Sequence, residues 1–278
     1  SVYQSIEVNT GSPILPDLIF DPSGNYIFVP SKRTVSKVLV ENCEEYTSCE
    51  TCLRSQDPFC GWCSLEKRCT RNQKCQNATI SSPRWLTPGQ QCIEFEQVLP
   101  DRISIEQSTS VQLTIRTLPD LPFGKKYRCV FGNSSPIDAV LTSSGLSCMT
   151  PPLRQRPVIL EGQDHVSVPL SIRSSETQKD FVSRNFAFYD CTRHYTCFDC
   201  VQSQWACNWC VYDNRCTHNG SSCQRTVISG ENNPVQLVTH GRTHCPRISQ
   251  PEDEILIPNG VKRSITLMIE NLPRPQVG

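Results

Sequence analysis

Cys43-Glu-Glu-Tyr-Thr-Ser-Cys49-Glu-Thr-Cys52-Leu-Arg-Ser-Gln-Asp57-Pro58-Phe59-Cys60-Gly61-Trp62-Cys63 has a second copy, Cys191-Thr-Arg-His-Tyr-Thr-Cys197-Phe-Asp-Cys200-Val-Gln-Ser-Gln-Trp205-Ala-Cys207-Asn208-Trp209-Cys210. The agreement continues through Arg68-Cys69-Thr70 and Arg215-Cys216-Thr217, then through Cys75 and Cys223, to Cys92 and Cys245. Eight cysteines answer eight. Self-similarity at a fixed spacing marks a modular array, in which each repeat is one structural unit.

The 278 residues hold 18 cysteines. An even, dense set of this kind reads as a disulfide framework in an oxidising compartment. Three sequons, at Asn77, Asn133 and Asn219, are compatible with passage through a secretory pathway and predict glycan at surface loops. The formal net charge is zero and no basic run exceeds two residues, so the electrostatic footprint of a nucleic-acid or anionic-membrane binder is missing. No stretch reaches the roughly 18 apolar residues of a membrane span, and no signal-peptide pattern opens the sequence. The chain is therefore expected to be a piece of a longer extracellular protein, without membrane insertion of its own.

Between the two cysteine blocks, residues 93–190 change texture. Val111, Leu113 and Ile115 alternate with polar residues, as do Val166, Val168, Leu170 and Ile172. Period-two patterning with Pro and Gly punctuation predicts half-buried antiparallel strands in an immunoglobulin-like sandwich, with Cys129 and Cys148 as its internal bridge. Val111–Gly124 aligns without a gap on Ile265–Gly278, so a second sandwich is expected to begin after Cys245. At the other end, Leu18–Phe20, Tyr26–Val29 and Thr34–Val40 are strand-like runs, the first two flanking the turn-forming Asp21-Pro22-Ser23-Gly24-Asn25. So small a meander is expected to close a larger domain.

Alternative chemistries fare poorly. Cys49-x2-Cys52 with Cys60-x2-Cys63 has the spacing of a thiolate zinc site, but that reading leaves four cysteines per block without a role. A thioredoxin-type pair needs a helix start in a βαβ unit, which a dense cysteine knot does not offer. Trp62 and Trp209 invite a ligand-stacking role, but a domain of about 50 residues needs such side chains as its core. Trp85 and Trp205 have no counterpart in the other copy, which leaves Trp205 open as a surface or interface residue. His165, His194, His218, His240 and His244 show no metal-ligand spacing, and Glu252-Asp253-Glu254 reads as a solvated linker. No metal, cofactor or catalytic residue is predicted.

The cysteine pattern with Asp57-Pro58-Phe59-Cys60-Gly61-Trp62-Cys63 and Arg68-Cys69 resembles the PSI domain shared by plexins, semaphorins and integrin β chains. The sandwiches resemble IPT domains, and Gly11–Val40 is similar to the last blade of a sema-type β-propeller. A second PSI after the first IPT is the order that distinguishes plexins; semaphorins and the hepatocyte growth factor receptor family carry a single PSI. Phe188-Tyr189-Asp190-Cys191 and Cys207-Asn208-Trp209-Cys210 are also plexin-like. The resemblance implies a mainly β modular array: 1–42 as closing propeller strands, 43–92 as PSI, 93–190 as IPT, 191–245 as a second PSI and 246–278 as the start of a second IPT.

The resemblance also implies the PSI pairing of first with fourth, second with eighth, third with sixth and fifth with seventh cysteine. On this chain that is Cys43–Cys60, Cys49–Cys92, Cys52–Cys69 and Cys63–Cys75, then Cys191–Cys207, Cys197–Cys245, Cys200–Cys216 and Cys210–Cys223. Spacing alone leaves about 105 pairings per block. The implied function is the non-enzymatic extracellular stalk of a single-pass semaphorin receptor acting in axon guidance and cell migration, with ligand held by the upstream propeller. The alternative is a module that itself binds ligand, a co-receptor or another copy of the receptor.

Overall fold

The computed structural model describes residues 2, 4–8, 11–78, 83–249, 256–262 and 264–272. The Glu252–Glu254 cluster, Thr79 of the first sequon and the last six residues of the aligned repeat lie outside them. The chain forms two compact units: 1–101 with 108–155 and 169–186, and 102–107 with 156–168 and 187–278.

The first unit opens on an antiparallel meander of β1 (Ile19–Phe20), β2 (Tyr26–Pro30) and β3 (Val35–Leu39). Its hairpin turn is held by Asp21, whose carboxylate accepts from the Tyr26 amide at 2.8 Å and from the Ser23 hydroxyl. Ile19, Phe20, Val35 and Leu39 are exposed, so the meander buries no core of its own.

The first knot follows. Ser48 caps helix α1 (Cys49–Arg54) in a capping box with Thr51, which offsets the unpaired amides of so short a helix. A three-stranded sheet, β5–β4–β6, is built from β4 (Gly61–Cys63), β5 (Arg68–Thr70) and β6 (Trp85–Leu86). Four disulfides, Cys43–Cys60, Cys49–Cys92, Cys52–Cys69 and Cys63–Cys75, are threaded through it. Leu53, Trp62 and Leu86 close around the sulfurs as the knot's small core, which is where Trp62 resides.

The sandwich contributes β7 (Phe95–Leu99), β8 (Arg102–Ser104), β9 (Ser110–Ile115), β10 (Tyr127–Phe131), β11 (Ile137–Asp138), β12 (Val140–Thr142), β13 (Gly145–Met149), β14 (His165–Ser174) and β15 (Asp180–Tyr189). One sheet runs β12–β13–β9–β7 and the other β11–β10–β14–β15, followed by β8. Val111, Leu113, Ile115 and Leu146 of the first sheet and Phe131, Leu170, Ile172 and Phe186 of the second are almost fully buried, as their alternation requires. Cys129–Cys148 joins β10 to β13 across the layers. In the sheet of β7, Gly145 at φ +149° lies where a Cβ would come within 2.2 Å of the Leu113 carbonyl.

One strand departs from the antiparallel expectation. In the second unit, β8 pairs parallel with the end of β15, Ala187 opposite Arg102 and Tyr189 opposite Ser104. The chain leaves the sheet of β7 within Pro100–Asp101, and after this change of sheet β8 runs alongside the last strand instead of against it.

The second knot repeats the first. Thr196 caps α2 (Cys197–Gln202), and β16 (Asn208–Cys210), β17 (Arg215–Thr217) and β18 (Val227–Ser229) form the sheet β17–β16–β18. Its bridges are Cys191–Cys207, Cys197–Cys245, Cys200–Cys216 and Cys210–Cys223. Trp209 lies in its core with Val201 and Ile228. Beyond it, β19 (Arg247–Ile248) pairs with β20 (Ile269–Glu270). Ile248 stands three residues after Cys245 as Phe95 does after Cys92, and Ile248 opposite Ile269 repeats Phe95 opposite Ile115.

The unmatched Trp85 has a steric explanation. It sits opposite Cys63 on β6, with its ring over Gly61, where a Cβ would meet the indole at 2.3 Å. In the second knot Asn208 takes the place of Gly61 and Val227 that of Trp85. A large ring over glycine in one copy is exchanged for a smaller side chain over asparagine in the other.

Candidate functional site: the seams between modules

Within each unit, the places where one module meets the next carry buried polar locks. The first joins meander and knot. Arg71 donates to Glu41 Oε1 at 3.0 Å and to the Gly24 carbonyl at the β1–β2 turn, with its guanidinium 5.3 Å from the Phe59 ring. The other Glu41 oxygen accepts from the Cys43 amide at 2.8 Å, so one carboxylate fixes both the start of the knot and the arginine reaching back from it.

The second lock joins knot and sandwich. Arg84, immediately before Trp85, is 2 % exposed. Its Nη2 donates to Glu176 Oε2 at 2.6 Å and to the Asp120 carbonyl at 2.7 Å, its Nε also reaches Asp120, and its Nη1 reaches Glu176 Oε1 at 3.0 Å. Glu176 lies in the β14–β15 turn and Asp120 in the β9–β10 loop, so one guanidinium holds two sandwich loops against the knot. Arg84 holds the Glu176 carboxyl below its ordinary range, because its hydrogen bonds favour the anion. Thr177 Oγ1 donates to the Leu65 carbonyl at 2.6 Å and Lys179 Nζ to that of Glu66 at 2.8 Å. A buried guanidinium keeps such geometry only where nearly all its donors are satisfied.

The third lies in the second unit, between sandwich residues 156–168 with the end of β15 and the second knot. Trp205 is buried, stacks on Tyr189 at 5.1 Å with rings 8° from parallel, and donates its indole N–H to Asp164 Oδ2 at 2.8 Å. The surface reading of Trp205 is thereby overturned; the side chain is the hinge pin of a seam. His165 contacts both Asp164, through Nδ1 at 2.7 Å, and the Trp205 ring. His194 brings Nε2 to 3.4 Å from Asp164 Oδ2. Arg193 ties Asp190 to the Ile159 carbonyl. Burial raises the Asp164 carboxyl, but its bonds to His165 and Trp205 and the nearby imidazoles outweigh it and set it below the usual range.

All 18 cysteines are bridged, so the close sulfur groups Cys43/Cys60/Cys69 and Cys191/Cys207/Cys216 offer no thiolate to a metal. Asn77, Asn133 and Asn219 are exposed. Asn77 Nδ2 donates to Glu176 Oε1 at 2.9 Å, and Asn219 Oδ1 accepts from the Ser221 amide. His244 turns Nδ1 to the His240 carbonyl, not toward a shared ligand.

The residue patterns and the modules so placed agree with known proteins. Residues 42–99 match the plexin repeat, or PSI, family and residues 99–189 the plexin type of TIG domain. Residues 197–223 match the PSI domain of plexins A and B. Human Plexin-A2 is 40% identical over 282 residues, covering 99% of this chain and 14% of Plexin-A2. The chain belongs to the plexin family. Plexin A3 of Danio rerio is 38% identical over 284 residues, all of this chain and 14% of the relative. The solved full extracellular region of Plexin A4 superposes with a TM-score of 0.75 at 34% identity, covering 96% of this chain and 25% of that one. The chain thus spans about 14% of the curated plexins it matches and corresponds to part of their extracellular region. Among the described residues no helix is long and apolar enough to cross a membrane.

The pairings at the seams left no motif in the sequence, although Trp205, His165 and His194 stand out there as single residues. Arg84 and Glu176 stand 92 positions apart in modules of different kind, and neither belongs to a repeated motif. The one available signal was asymmetry: Trp205 is present in one knot and absent from the other.

Proposed function

We propose that this segment is a stiff, non-enzymatic spacer in the ectodomain of a single-pass plexin receptor, orienting an upstream semaphorin-binding propeller relative to the membrane. The observation that carries it is the buried lock at each seam, above all Arg84 at 2 % exposure bridging Glu176 and Asp120. A knot joined by a bare chain would swivel; one whose guanidinium is desolvated between two loops of its neighbour resists rotation, because any rotation exposes a buried charge without its partner. The exposed apolar side chains of the meander fit the closing strands of a larger propeller.

Inserting a flexible Gly/Ser linker of about ten residues between Asp190 and Cys191, in a receptor carrying this segment, tests the reading. Such a linker behaves as a coil with a reach of roughly 15–20 Å. Semaphorin affinity stays unchanged while signalling falls; a normal response from the linker variant refutes the spacer.

One observation favours a second reading, a binding module for ligand, co-receptor or another receptor copy. Phe123 is fully exposed at the tip of the β9–β10 loop, and a groove between that loop and edge strand β12 is lined by Leu118, Leu121, Val140 and Leu141. On this reading Phe123→Ser with Leu141→Ser lowers affinity and the linker has little effect.

A further inference from the structure

Asn77 stands at the solvent side of the knot–sandwich lock. Its Nδ2 donates to Glu176 Oε1 at 2.9 Å, the same oxygen that accepts from Arg84 Nη1 at 3.0 Å. Arg84 Nη1 also reaches the carbonyl of Gln76, so the chain at 76–77 belongs to the lock. Asn77 itself is exposed, and its backbone takes φ +57°, in the left-handed region that asparagine tolerates better than most residues. The nitrogen that binds Glu176 is also the one that the Asn77-Ala78-Thr79 sequon offers for glycan. The sequon of the second knot differs: Asn219 uses its side chain within its own turn, accepting from the Ser221 amide at 3.1 Å.

One atom thus has two roles, and the chemistry allows both in one order. Transfer of an oligosaccharide from a lipid-linked diphosphate forms a bond between Nδ2 and C1 of the first sugar. The bond from C1 to the diphosphate oxygen breaks, the diphosphate leaves with its electron pair, and the nitrogen gives up one proton. A nitrogen held against Glu176 in a closed seam is not free to make that bond. Glu176 follows Asn77 by 99 positions, and at about 5–20 residues per second it is synthesised about 5–20 s later. The amide is free in that interval. Afterwards Nδ2 is a secondary amide with one hydrogen left, and one hydrogen is what Glu176 accepts from it.

We propose that the Asn77 glycan is a working part of the knot–sandwich lock: it is added before Glu176 is made, then held by that carboxylate through the remaining N–H, and it braces the seam from the solvent side. A bulky sugar on Nδ2 restricts the rotamers of Asn77 before the seam closes, which lowers the entropy cost of ordering the side chain. It also stands over the exposed side of the Arg84–Glu176 pair, where less water strengthens the attraction. This inference rests on use of the sequon, which the mass of the Asn77 peptide reports separately from the seam; it does not rest on the spacer reading.

The test is native-state hydrogen exchange at the β14–β15 turn in the whole oxidised chain from insect cells, with glycan occupancy read by peptide mass spectrometry. Thr79→Ala keeps the Asn77 amide, removes the glycan and raises exchange at the turn about fivefold, the factor expected when one polar side chain must be ordered without help. Thr79→Ser keeps the sequon and behaves as wild type. Trimming the glycan to its first sugar preserves the linkage and leaves exchange as in wild type. Ser135→Ala and Ser221→Ala, which delete the other two sequons, leave this turn unchanged. In a Glu176→Ala background Thr79→Ala has no further effect, because the acceptor is gone; an equal effect there shows general shielding by sugar and overturns the proposal. An unmodified Asn77 in folded wild type, or exchange in Thr79→Ala equal to that of the glycosylated protein, overturns it as well.

Discussion

Glu176→Ala is the most discriminating perturbation of the knot–sandwich seam. It removes the acceptor of two Arg84 hydrogen bonds, at 2.6 and 3.0 Å, and of the Asn77 amide at 2.9 Å. The guanidinium stays 2 % exposed with only carbonyl partners, those of Asp120 and Gln76. Removing one partner of a buried ion pair costs about 3–5 kcal/mol because the other charge is left uncompensated. Asp120 still accepts from two of the arginine nitrogens, so the lower end, about 3 kcal/mol, is the expectation here. Replacing both residues by leucine restores much of that, since an apolar pair leaves no charge behind.

The assay is native-state hydrogen exchange on the whole chain under non-reducing conditions, reading amides of β6 and of the β14–β15 turn. Local opening at this seam, not global melting, is what the spacer needs suppressed. Glu176→Ala raises exchange there by about a hundredfold, for a loss of about 3 kcal/mol, and leaves the second knot protected. The seam is also acid-sensitive in a defined direction. The folded-state Glu176 carboxyl lies below its unfolded value, so its contribution is fully present above about pH 4.5 and is lost as pH falls through the depressed folded value. Glu176→Gln abolishes that acid dependence. Exchange in Glu176→Ala indistinguishable from wild type would refute the lock.

Four further outcomes are expected. Replacing Cys49 and Cys92 with serine opens a loop of 43 residues and costs about 4 kcal/mol, against about 3 kcal/mol for the 12-residue Cys63–Cys75 loop, so the first variant is secreted less well than the second. Peptide mapping of the unreduced protein recovers the nine pairs with no Cys49–Cys52 link. Glycan occupies Asn77, Asn133 and Asn219 in protein from insect or mammalian cells, read as a mass shift lost in each Asn→Gln variant; an unmodified asparagine shows its loop to be misplaced. Trp205→Ala removes the stack on Tyr189 and the bond to Asp164 and lowers stability by about 3–5 kcal/mol, whereas Trp205→Phe retains most of the packing and loses about 1 kcal/mol; equal melting temperatures for the two variants would contradict the seam role.

What the amino-acid sequence determined on its own is whatever repeats. The paired cysteine blocks, the strand alternation from Val111 to Ile115 and from Val168 to Ile172, and the restart of that pattern at Ile265 are periodic, and periodicity survives projection onto one dimension. The helix caps at Ser48 and Thr196 are also set locally, since a cap lies within three residues of the amide it satisfies, although neither helix was among the expectations drawn from the sequence. The tertiary structure alone decided the rest. Arg84 finds Glu176 across 92 positions, Trp205 finds Asp164 across 41, and β8 runs parallel to β15 because the chain changes sheets within two residues. The two side-chain contacts join modules of different kind, and the strand pairing joins the two ends of one sandwich; none belongs to a repeated motif. A contact without a repeat leaves no period to read, and whether an arginine or tryptophan is buried depends on which loop the fold brings over it.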